Sequence, residues 1–233
     1  MTFMAFDPEA ELDAVAAALA HDLRAPLRAI DGFSRILLSE AAVPEDLPED
    51  TRRYLALVRD AGTELAELLD DLVDVVRVMR APAAFRDDVD VALLASELVD
   101  AVLAPRAAGA ARDVEWVLPG EALPTARADP ALLRRLLEEL LDNAYKFGAR
   151  RVEVGWEDDA YFVRDDGVGV PAAGLPEKAY EIFGRLQGRD EYAGTGAGLA
   201  IARRIAARHG GRLWVTARAD GARGACAWFT LSG

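Results

Sequence analysis

Hydrophobic residues in the first third of this chain recur at the spacing of helices that pack in a bundle. Residues from about Pro8 to Ser39 predict one helix, and Pro44 and Pro48 then mark a turn. After the turn, apolar residues follow at alternating steps of four and three, which predicts a second bundle helix. That second stripe consists of Tyr54, Val58, Ala61, Leu65, Leu68, Leu72, Val75 and Met79. Because two such helices have too little core to stand alone, we expect a homodimer that closes a four-helix bundle.

The pattern changes beyond the segment from Arg80 to Phe85, which we interpret as a hinge. Short strand-like runs then alternate with helical runs, which indicates an α/β sandwich with helices on one face of a mixed sheet. The whole chain is therefore predicted to be α+β, with a helical hairpin domain over residues 1–85 and a sandwich domain over residues 86–233. The strand-like runs are Val114–Leu118, Arg151–Trp156, Tyr161–Arg164, Arg212–Ala217 and Ala225–Leu231, and the helical runs are Leu93–Leu103, Pro130–Phe147 and Gly198–His209.

Charge and composition narrow the partners and the compartment. The 233 residues carry 27 Lys+Arg against 40 Asp+Glu, a formal net charge of −13, which disfavours nucleic acid and anionic membrane surfaces as partners. Cys226 is the only cysteine, so no internal disulfide is possible and a cytoplasmic location is expected. No run approaches the roughly 18–20 apolar residues of a spanning helix, and the N-terminus lacks a secretory signal.

Two polar motifs lie on the predicted helices. His21 in HDLRAPL is expected to face away from the apolar stripe, and Asp22 can hold one imidazole nitrogen protonated while the other acts as a nucleophile. Asn143 and Lys146 in ELLDNAYKF are three residues apart and share one side of a helix. An amide that ligates Mg²⁺ beside an ammonium that meets phosphate suits a metal–nucleotide, although a solvated polar stripe would show the same spacing.

Two glycine-rich motifs follow. In DDGVG, Asp165 at a strand end can accept a hydrogen bond from an adenine amino group, and the glycines let the backbone approach the base. In GTGAGLA, backbone N–H groups at the start of a helix offer a seat for phosphate. Each motif alone is consistent with a turn, but the two occur in order around a Pro- and Gly-rich segment, Val170–Tyr192. Its length indicates a functional lid.

These four motifs, in this order, resemble the transmitter core of sensor histidine kinases over nearly the whole chain. HDLRAPL is similar to the phosphoacceptor box, ELLDNAYKF to the asparagine box, and DDGVG and GTGAGLA to the two glycine boxes of the ATP domain. The stretch YEIFGRLQGRDEYAGTGAGLAIARRIAARHGGRLWV resembles phytochrome-type and related soluble kinases in particular. The resemblance implies a dimeric helical hairpin joined to an ATP domain of the fold shared with gyrase-type ATPases.

The resemblance also implies an activity and a set of site residues. His21 would be phosphorylated from ATP and would pass the phosphoryl group to an aspartate of a response regulator, under control of a sensor that this chain does not contain. The implied roles are a proton-orienting partner of the histidine (Asp22), a Mg²⁺ ligand (Asn143), a phosphate ligand (Lys146), an adenine reader (Asp165), shapers of the base pocket (Gly167 and Gly169), a phosphate loop (Gly194, Thr195, Gly196, Gly198 and Leu199) and the lid (Phe183 and Arg185).

Three positions depart from the pattern of this family. Glu139 stands where an Asn is usual, as either an acidic Mg²⁺ ligand or a base that activates water. Asp166 replaces a frequent Asn. Ala25 stands where many of these kinases carry a Thr or Asn that positions water, so we expect a good kinase and a poor phosphatase. Glu139 keeps open a nucleotide hydrolase of the same fold, and a non-catalytic dimeric docking scaffold is a further alternative.

Overall fold

The chain forms two compact units, Met1–Arg77 and Val78–Gly233. The computed structural model describes residues 27–34, 36, 48–80, 84–109, 113–119, 123–182 and 195–231. The domain division predicted after residue 85 stays a prediction, and residues 81–83 of the predicted hinge lie outside the described residues.

The described residues of the first unit form two helical segments. Residues 27–34 are helical and belong to helix α1, and helix α2 spans Glu49–Arg80. Helix α2 begins just after Pro48 with two acidic residues in its first turn, where negative charge is favourable, and it confirms the second predicted stripe as helical. The described hydrophobic core of the first unit is small and consists of Leu27, Leu69 and Val73, with Ala66 packed against it.

Much of the apolar stripe is exposed in the single chain. The exposed fraction reaches 66% at Phe33 on α1 and 64% at Tyr54 on α2. A monomeric protein rarely leaves so many large apolar side chains in water along one pair of helices. The other exposed apolar side chains of these helices are Ile30, Ile36, Leu57, Val58 and Leu65.

The second unit is built on a five-stranded mixed sheet. The strand order is β2-β4-β5-β7-β6, with β2 and β4 parallel and the other pairs antiparallel. All five predicted strands are present with ends shifted by a few residues at most. Their bounds are β2 Glu115–Val117, β4 Arg151–Glu157, β5 Ala160–Asp165, β6 Leu213–Ala217 and β7 Ala225–Phe229.

Helices α3, α5 and α6 pack against this sheet, as the predicted sandwich requires. Helix α5 spans Pro130–Lys146 and helix α6 spans Gly198–Arg208, within one residue of the predicted ends. The predicted helix Leu93–Leu103 starts later in the chain than the observed one, and it was predicted as a single regular helix. The chain instead forms α3 (Val91–Leu98), a π-helical turn (Val99–Leu103) and α4 (Ala104–Gly109).

A small second sheet was not predicted. Strands β1 (Arg86–Val89) and β3 (Ala126–Ala128) pair in antiparallel fashion with an irregular register. Both are short, and the sequence RDDV of β1 lacks the alternation that marks a half-buried strand. Their pairing depends on residues about 40 positions apart, which no local pattern records.

A buried polar hub joins the start of α5 to the end of α6. Asp129 caps α5 through Oδ1, which accepts hydrogen bonds from the backbone amides of Ala131 (2.9 Å) and Leu132 (3.2 Å). The backbone amide of Asp129 donates to Nε2 of buried His209 at 3.0 Å, and Nδ1 of His209 lies 2.7 Å from the Ile205 carbonyl. Nε2 therefore accepts and Nδ1–H donates, so this histidine connects the start of α5 to the last turn of α6 through both ring nitrogens.

Candidate functional site

The C-terminal half of helix α5 presents a half-buried polar edge. Its leucines face the core, and this leaves Glu139, Asn143 and Lys146 on the side that is not fully buried. The side chain of Glu139 is only 12% exposed, and its Oε1 lies 2.6 Å from Nη2 of Arg135. Nζ of Lys146 lies 2.7 Å from Oδ2 of Asp142. Ion pairs one helical turn apart thus hold two of the three predicted site residues in place.

The first residue of helix α6 lies directly against this edge. A Cβ atom on Gly198 would overlap Oε2 of Glu139 and lie 3.7 Å from Nδ2 of Asn143. A larger residue at this position would therefore displace the Glu139 carboxylate from its place. The structure brings Glu139, Asn143 and Gly198 together, although 55 residues separate Asn143 from Gly198 along the chain.

The residues just before α6, together with its first turn, have the features of an anion-binding site. Among the described residues, no side chain caps the first turn of α6, whose N-cap is Ala197. Uncapped amides at a helix N-terminus carry partial positive charge and attract anions. Before the helix, Gly196 has a φ of +84°, a conformation that favours glycine, and Oγ1 of buried Thr195 accepts a hydrogen bond from the Ala197 amide at 3.3 Å. Leu199 is the second helical residue and is half-buried.

Asp165 ends strand β5 as a buried carboxylate. Its Oδ1 accepts hydrogen bonds from the backbone amides of Gly167 at 2.8 Å and Ala225 at 3.3 Å. Its Oδ2 accepts no hydrogen bond from any residue that the structure describes. Burial raises the pKa of Asp165 above its ordinary value, and the two amides oppose that shift. The carboxylate therefore has one oxygen held by the protein and one left for a ligand.

The loop after Asp165 is fastened to the C-terminal end of α5. A Cβ atom on Gly167 would lie 2.6 Å from the Phe147 carbonyl oxygen, which also accepts the Val168 amide at 3.0 Å. Gly169, with a φ of +82°, packs against Gly224 of the β6–β7 hairpin. Both glycine motifs thus meet the same end of α5: the first through Phe147, the second through Glu139 and Asn143.

Three residues around Asp165 were not predicted to support this site. Nη1 of Arg218 donates to the Asp165 carbonyl oxygen at 3.3 Å, and Gly224 allows the hairpin to touch that same carbonyl. The Ala225 amide reaches Oδ1 across 60 residues of sequence. No local sequence signal marks these contacts, because the pairing of β5 with β7 creates them.

Asp166 has a structural place beside the site. Its Oδ1 accepts hydrogen bonds from the amides of Arg150 at 2.7 Å and Arg151 at 2.9 Å, which fixes the start of β4. Burial acts to raise the pKa of Asp166, but these amides outweigh it and bring the pKa below its ordinary value. Asp166 is therefore a fixed negative charge next to Asp165.

The donor set beside Gly198 fits a magnesium ion that takes further ligands from a nucleotide. Glu139 and Asn143 offer carboxylate and amide oxygens, the ligand type that Mg²⁺ prefers. Within the described parts of the chain, no group of three or more His, Cys, Asp and Glu residues could hold a metal by itself. Mg²⁺ is commonly bound by one or two protein groups together with substrate phosphates, and these residues match that arrangement.

Five predicted site residues lie outside the residues that the structure describes. They are His21, Asp22, Phe183, Arg185 and Gly194. Part of the predicted lid is described: residues Glu177–Tyr180 form a 3₁₀ turn, and the Tyr180 hydroxyl accepts the Val215 amide at 3.0 Å. Among the described residues, no helix is both long and apolar enough to cross a membrane.

Family models identify an ATP-binding domain and a phospho-acceptor domain in this chain. Residues 128–232 match the family model of the histidine kinase-, DNA gyrase B- and HSP90-like ATPases. Residues 11–80 match the His Kinase A (phospho-acceptor) domain. The chain therefore belongs to the sensor histidine kinases and has the two domains of their transmitter core, as the sequence motifs predicted.

Relatives with known roles agree with this assignment. The methanogenesis regulatory histidine kinase FilI of Methanothrix harundinacea is 31% identical over 95% of this chain and 25% of its own length. Cyanobacterial phytochrome A of Nostoc sp. is 30% identical over 95% of this chain and 28% of its own length. The chain thus spans about a quarter of these relatives. The crystal structure of full-length ShkA in complex with AMPPNP superposes with a TM-score of 0.63 at 26% identity, covering 94% of this chain and 46% of that one.

Proposed function

We propose that this core binds ATP with Mg²⁺, phosphorylates its own His21 and transfers the phosphoryl group to an aspartate of a response regulator. The observation that carries the proposal is the convergence of Asp165, Asn143 and Gly198 on one end of helix α5. A base reader, an oxygen donor and an uncapped helix N-terminus at one place suit a nucleoside triphosphate. The complex of ShkA with AMPPNP supports a nucleotide at this site.

At the base end, Oδ2 of Asp165 would accept a hydrogen bond from the adenine amino group. Oδ1 is already held by the amides of Gly167 and Ala225, so the carboxylate cannot rotate without losing two hydrogen bonds. Gly167 and Gly169 keep side chains out of the pocket that the base would enter.

At the phosphate end, the amides of the first turn of α6 and the loop of Gly194, Thr195 and Gly196 would hold the phosphate oxygens. Asn143 and Glu139 would hold Mg²⁺, which when bound neutralises charge on the phosphates. Lys146 would exchange its contact with Asp142 for phosphate, and Phe183 and Arg185 would close over the nucleotide as a lid.

In the transfer step, one imidazole nitrogen of His21 attacks the γ-phosphorus. The bond from that phosphorus to the bridging oxygen breaks and ADP leaves, while Asp22 holds or takes the proton on the other nitrogen. The exposed apolar side chains of α1 and α2 support a homodimer. A sensor domain or sensor protein would control the reaction, and the expected cytoplasmic location stays a prediction.

Glu139 has a neighbour at each carboxylate oxygen. Oε1 lies 2.6 Å from Nη2 of Arg135, and Oε2 lies close to Gly198. A metal ligand and a general base both need an oxygen that can reach the ion or the water, so these contacts do not favour one role over the other. The nucleotide hydrolase of the same fold therefore stays the alternative to the kinase.

The test separates binding from transfer. Asp165→Asn is expected to weaken ATP binding by about 1–3 kcal/mol, because a buried hydrogen bond to the base is lost. His21→Ala is the control that keeps ATP affinity within a few fold, because the acceptor belongs to a separate domain. The measurement is ATP titration by calorimetry, and an unchanged dissociation constant for Asp165→Asn would contradict the site.

A further inference from the structure

Two oppositely charged side chains are held next to Asp165, the residue that is proposed to read adenine. Asp166 is held by the amides of Arg150 and Arg151. Arg218 is held by Asp220, whose Oδ1 lies 3.0 Å from its Nε, and it reaches the Asp165 carbonyl oxygen with Nη1. Neither charge can move away from Asp165 without breaking these contacts. The Asp165 carboxylate thus sits in a local field that the protein itself sets.

A proton and the adenine amino group must compete for the same atom of Asp165. Oδ1 already accepts from the amides of Gly167 and Ala225. Oδ2 accepts from none of the described residues and is the oxygen that a base would meet. As a carboxylate, Oδ2 accepts a hydrogen bond from an amino group; as a protonated carboxyl, it donates one to a carbonyl.

We propose that Arg218 and Asp166 are specificity-determining residues of the base site, which act in opposite directions by setting whether Oδ2 of Asp165 accepts or donates a hydrogen bond. The proposal rests on the proposed function, in which Asp165 reads the base. The proposal predicts that the site prefers a purine with an amino group at position 6 while Oδ2 is ionised. A purine with a carbonyl at that position binds more tightly when Oδ2 is protonated.

The directions follow from the charges around Asp165. Burial raises the pKa of Asp165, the neighbouring charge of Asp166 raises it further, and Arg218 lowers it. Other charged or titratable residues lie near the end of β5, on four elements. They are Arg151 and Glu153 on β4, Arg164 on β5, Cys226 on β7, and Asp142 and Lys146 on α5.

Cys226 does not compete with this role. Burial raises the pKa of its thiol to about 11, so the thiol is neutral at ordinary pH. Arg164 lies over the Phe162 ring and is paired with Glu153 and Glu157. Among the neighbouring charges, Asp166 and Arg218 are the two that shift the pKa of Asp165.

The preference for ATP over a purine with a carbonyl at position 6 is expected to fall at low pH. ATP binding needs Asp165 ionised, so the preference for ATP is full above the pKa of Asp165 in the unliganded protein and falls as the pH drops through it. Asp166→Asn removes a negative charge, lowers that pKa and moves the loss of preference to lower pH. Arg218→Gln removes a positive charge and moves the loss of preference to higher pH.

The experiment is a titration of the chain with ATP and with inosine triphosphate across about pH 5 to 8. The ratio of the two dissociation constants cancels the titration of the triphosphate and its magnesium. Asp166→Asn keeps both amide contacts, since an Asn oxygen also accepts, and is expected to raise the preference for ATP about two- to fivefold at the acidic end. Arg218→Gln is expected to lower it by a similar factor, and Arg218→Lys to restore part of it.

Arg223 offers a matched control, because it is an exposed arginine on the same hairpin. Arg223→Gln should leave the ratio as in wild type. A ratio that does not change with pH, or that shifts equally in Asp166→Asn and Arg218→Gln, would overturn the proposal. If Asp165→Asn itself left ATP affinity unchanged, the base-reading role would fail instead, so the two failures are distinguishable. Melting curves identify a variant that fails to fold, and Asp166→Asn then decides alone.

Discussion

The two compact units of this chain cover their apolar surfaces in different ways. In the second unit, leucines of α5 such as Leu133 and Leu136 are completely buried between helices and sheet. In the described part of the first unit, the buried cluster is small while Phe33 and Tyr54 remain mostly exposed. The proposed nucleotide site thus belongs to a unit with its own hydrophobic core. The proposed acceptor belongs to a unit whose apolar stripe, as far as it is described, is mostly exposed.

This difference separates what each unit needs in order to work. The second unit has the packing to hold its binding groups in place by itself. In the described part of the first unit the apolar stripe stays exposed, and we expect a second copy of the chain to cover it. We therefore expect substitutions in the two units to have separable effects on assembly, transfer and binding.

The largest expected effect is on assembly. Leu65→Glu places a charge on the exposed stripe of α2 and is expected to weaken the dimer by on the order of a thousandfold, because the charge would be buried without a partner. ATP affinity should be unchanged. Light scattering measures the dimer, and Glu67→Gln, an exposed polar position on the same helix, is the control. A dimer that survives Leu65→Glu would mean that the stripe is not the interface.

A smaller change is expected in dephosphorylation of the response regulator. Ala25, which lies outside the described residues, has a methyl group that cannot position water. Ala25→Thr is expected to speed phosphate release from the phosphorylated regulator about a hundredfold in the presence of ADP, since one positioning group is typically worth that factor. Wild-type release far above the regulator's own decay would contradict this account. Autophosphorylation serves as the control and should not change.

The smallest expected effect is on the stability of the second unit. Asp129→Ala removes the cap of α5 and the hydrogen bond of 2.7 Å from the Ala84 amide, and it should lower the free energy of unfolding by about 1–2 kcal/mol. Urea unfolding measures this. Exposed Asp158, in the turn between β4 and β5, offers Asp158→Asn as a control for the loss of charge alone.

The contribution of Asp129 also depends on pH. Burial acts to raise the pKa of Asp129, but the amides of Ala84, Leu132 and Ala131 outweigh it and lower the pKa. The stabilisation is therefore present above the ordinary pKa of an aspartate and is lost as the pH falls through the lower pKa of the folded state. Asp129→Asn keeps an oxygen for the cap and should remove this dependence. Equal acid sensitivity in wild type and Asp129→Asn would contradict the assignment.

The parts that could be predicted from the sequence are those that a local pattern specifies. Helix α5 was predicted to within one residue because Pro130 starts it and its leucines repeat at helical spacing. Strand β5 and the glycine motifs were found for the same reason, since a strand end followed by glycines is a local signal. The fold class and the family follow from such elements in order.

The remaining features depend on contacts between distant residues. Asp165 was predicted as a base reader, but Ala225 and Arg218, which hold it, become its neighbours only when β5, β6 and β7 pair. The pairing of β1 with β3 is another such contact. The π-helical turn Val99–Leu103 interrupts a pattern that predicts a regular helix.

Incubation with ATP labelled at the γ-phosphate tests the central claim most directly, because it asks whether the ATP domain phosphorylates the hairpin. Wild-type protein is expected to gain label that is lost in acid and kept in base, the behaviour of a phosphate on nitrogen. His21→Ala should bind ATP as wild type does and gain no such label. Acid-labile label on His21→Ala, or release of free phosphate alone by wild type, would contradict the account.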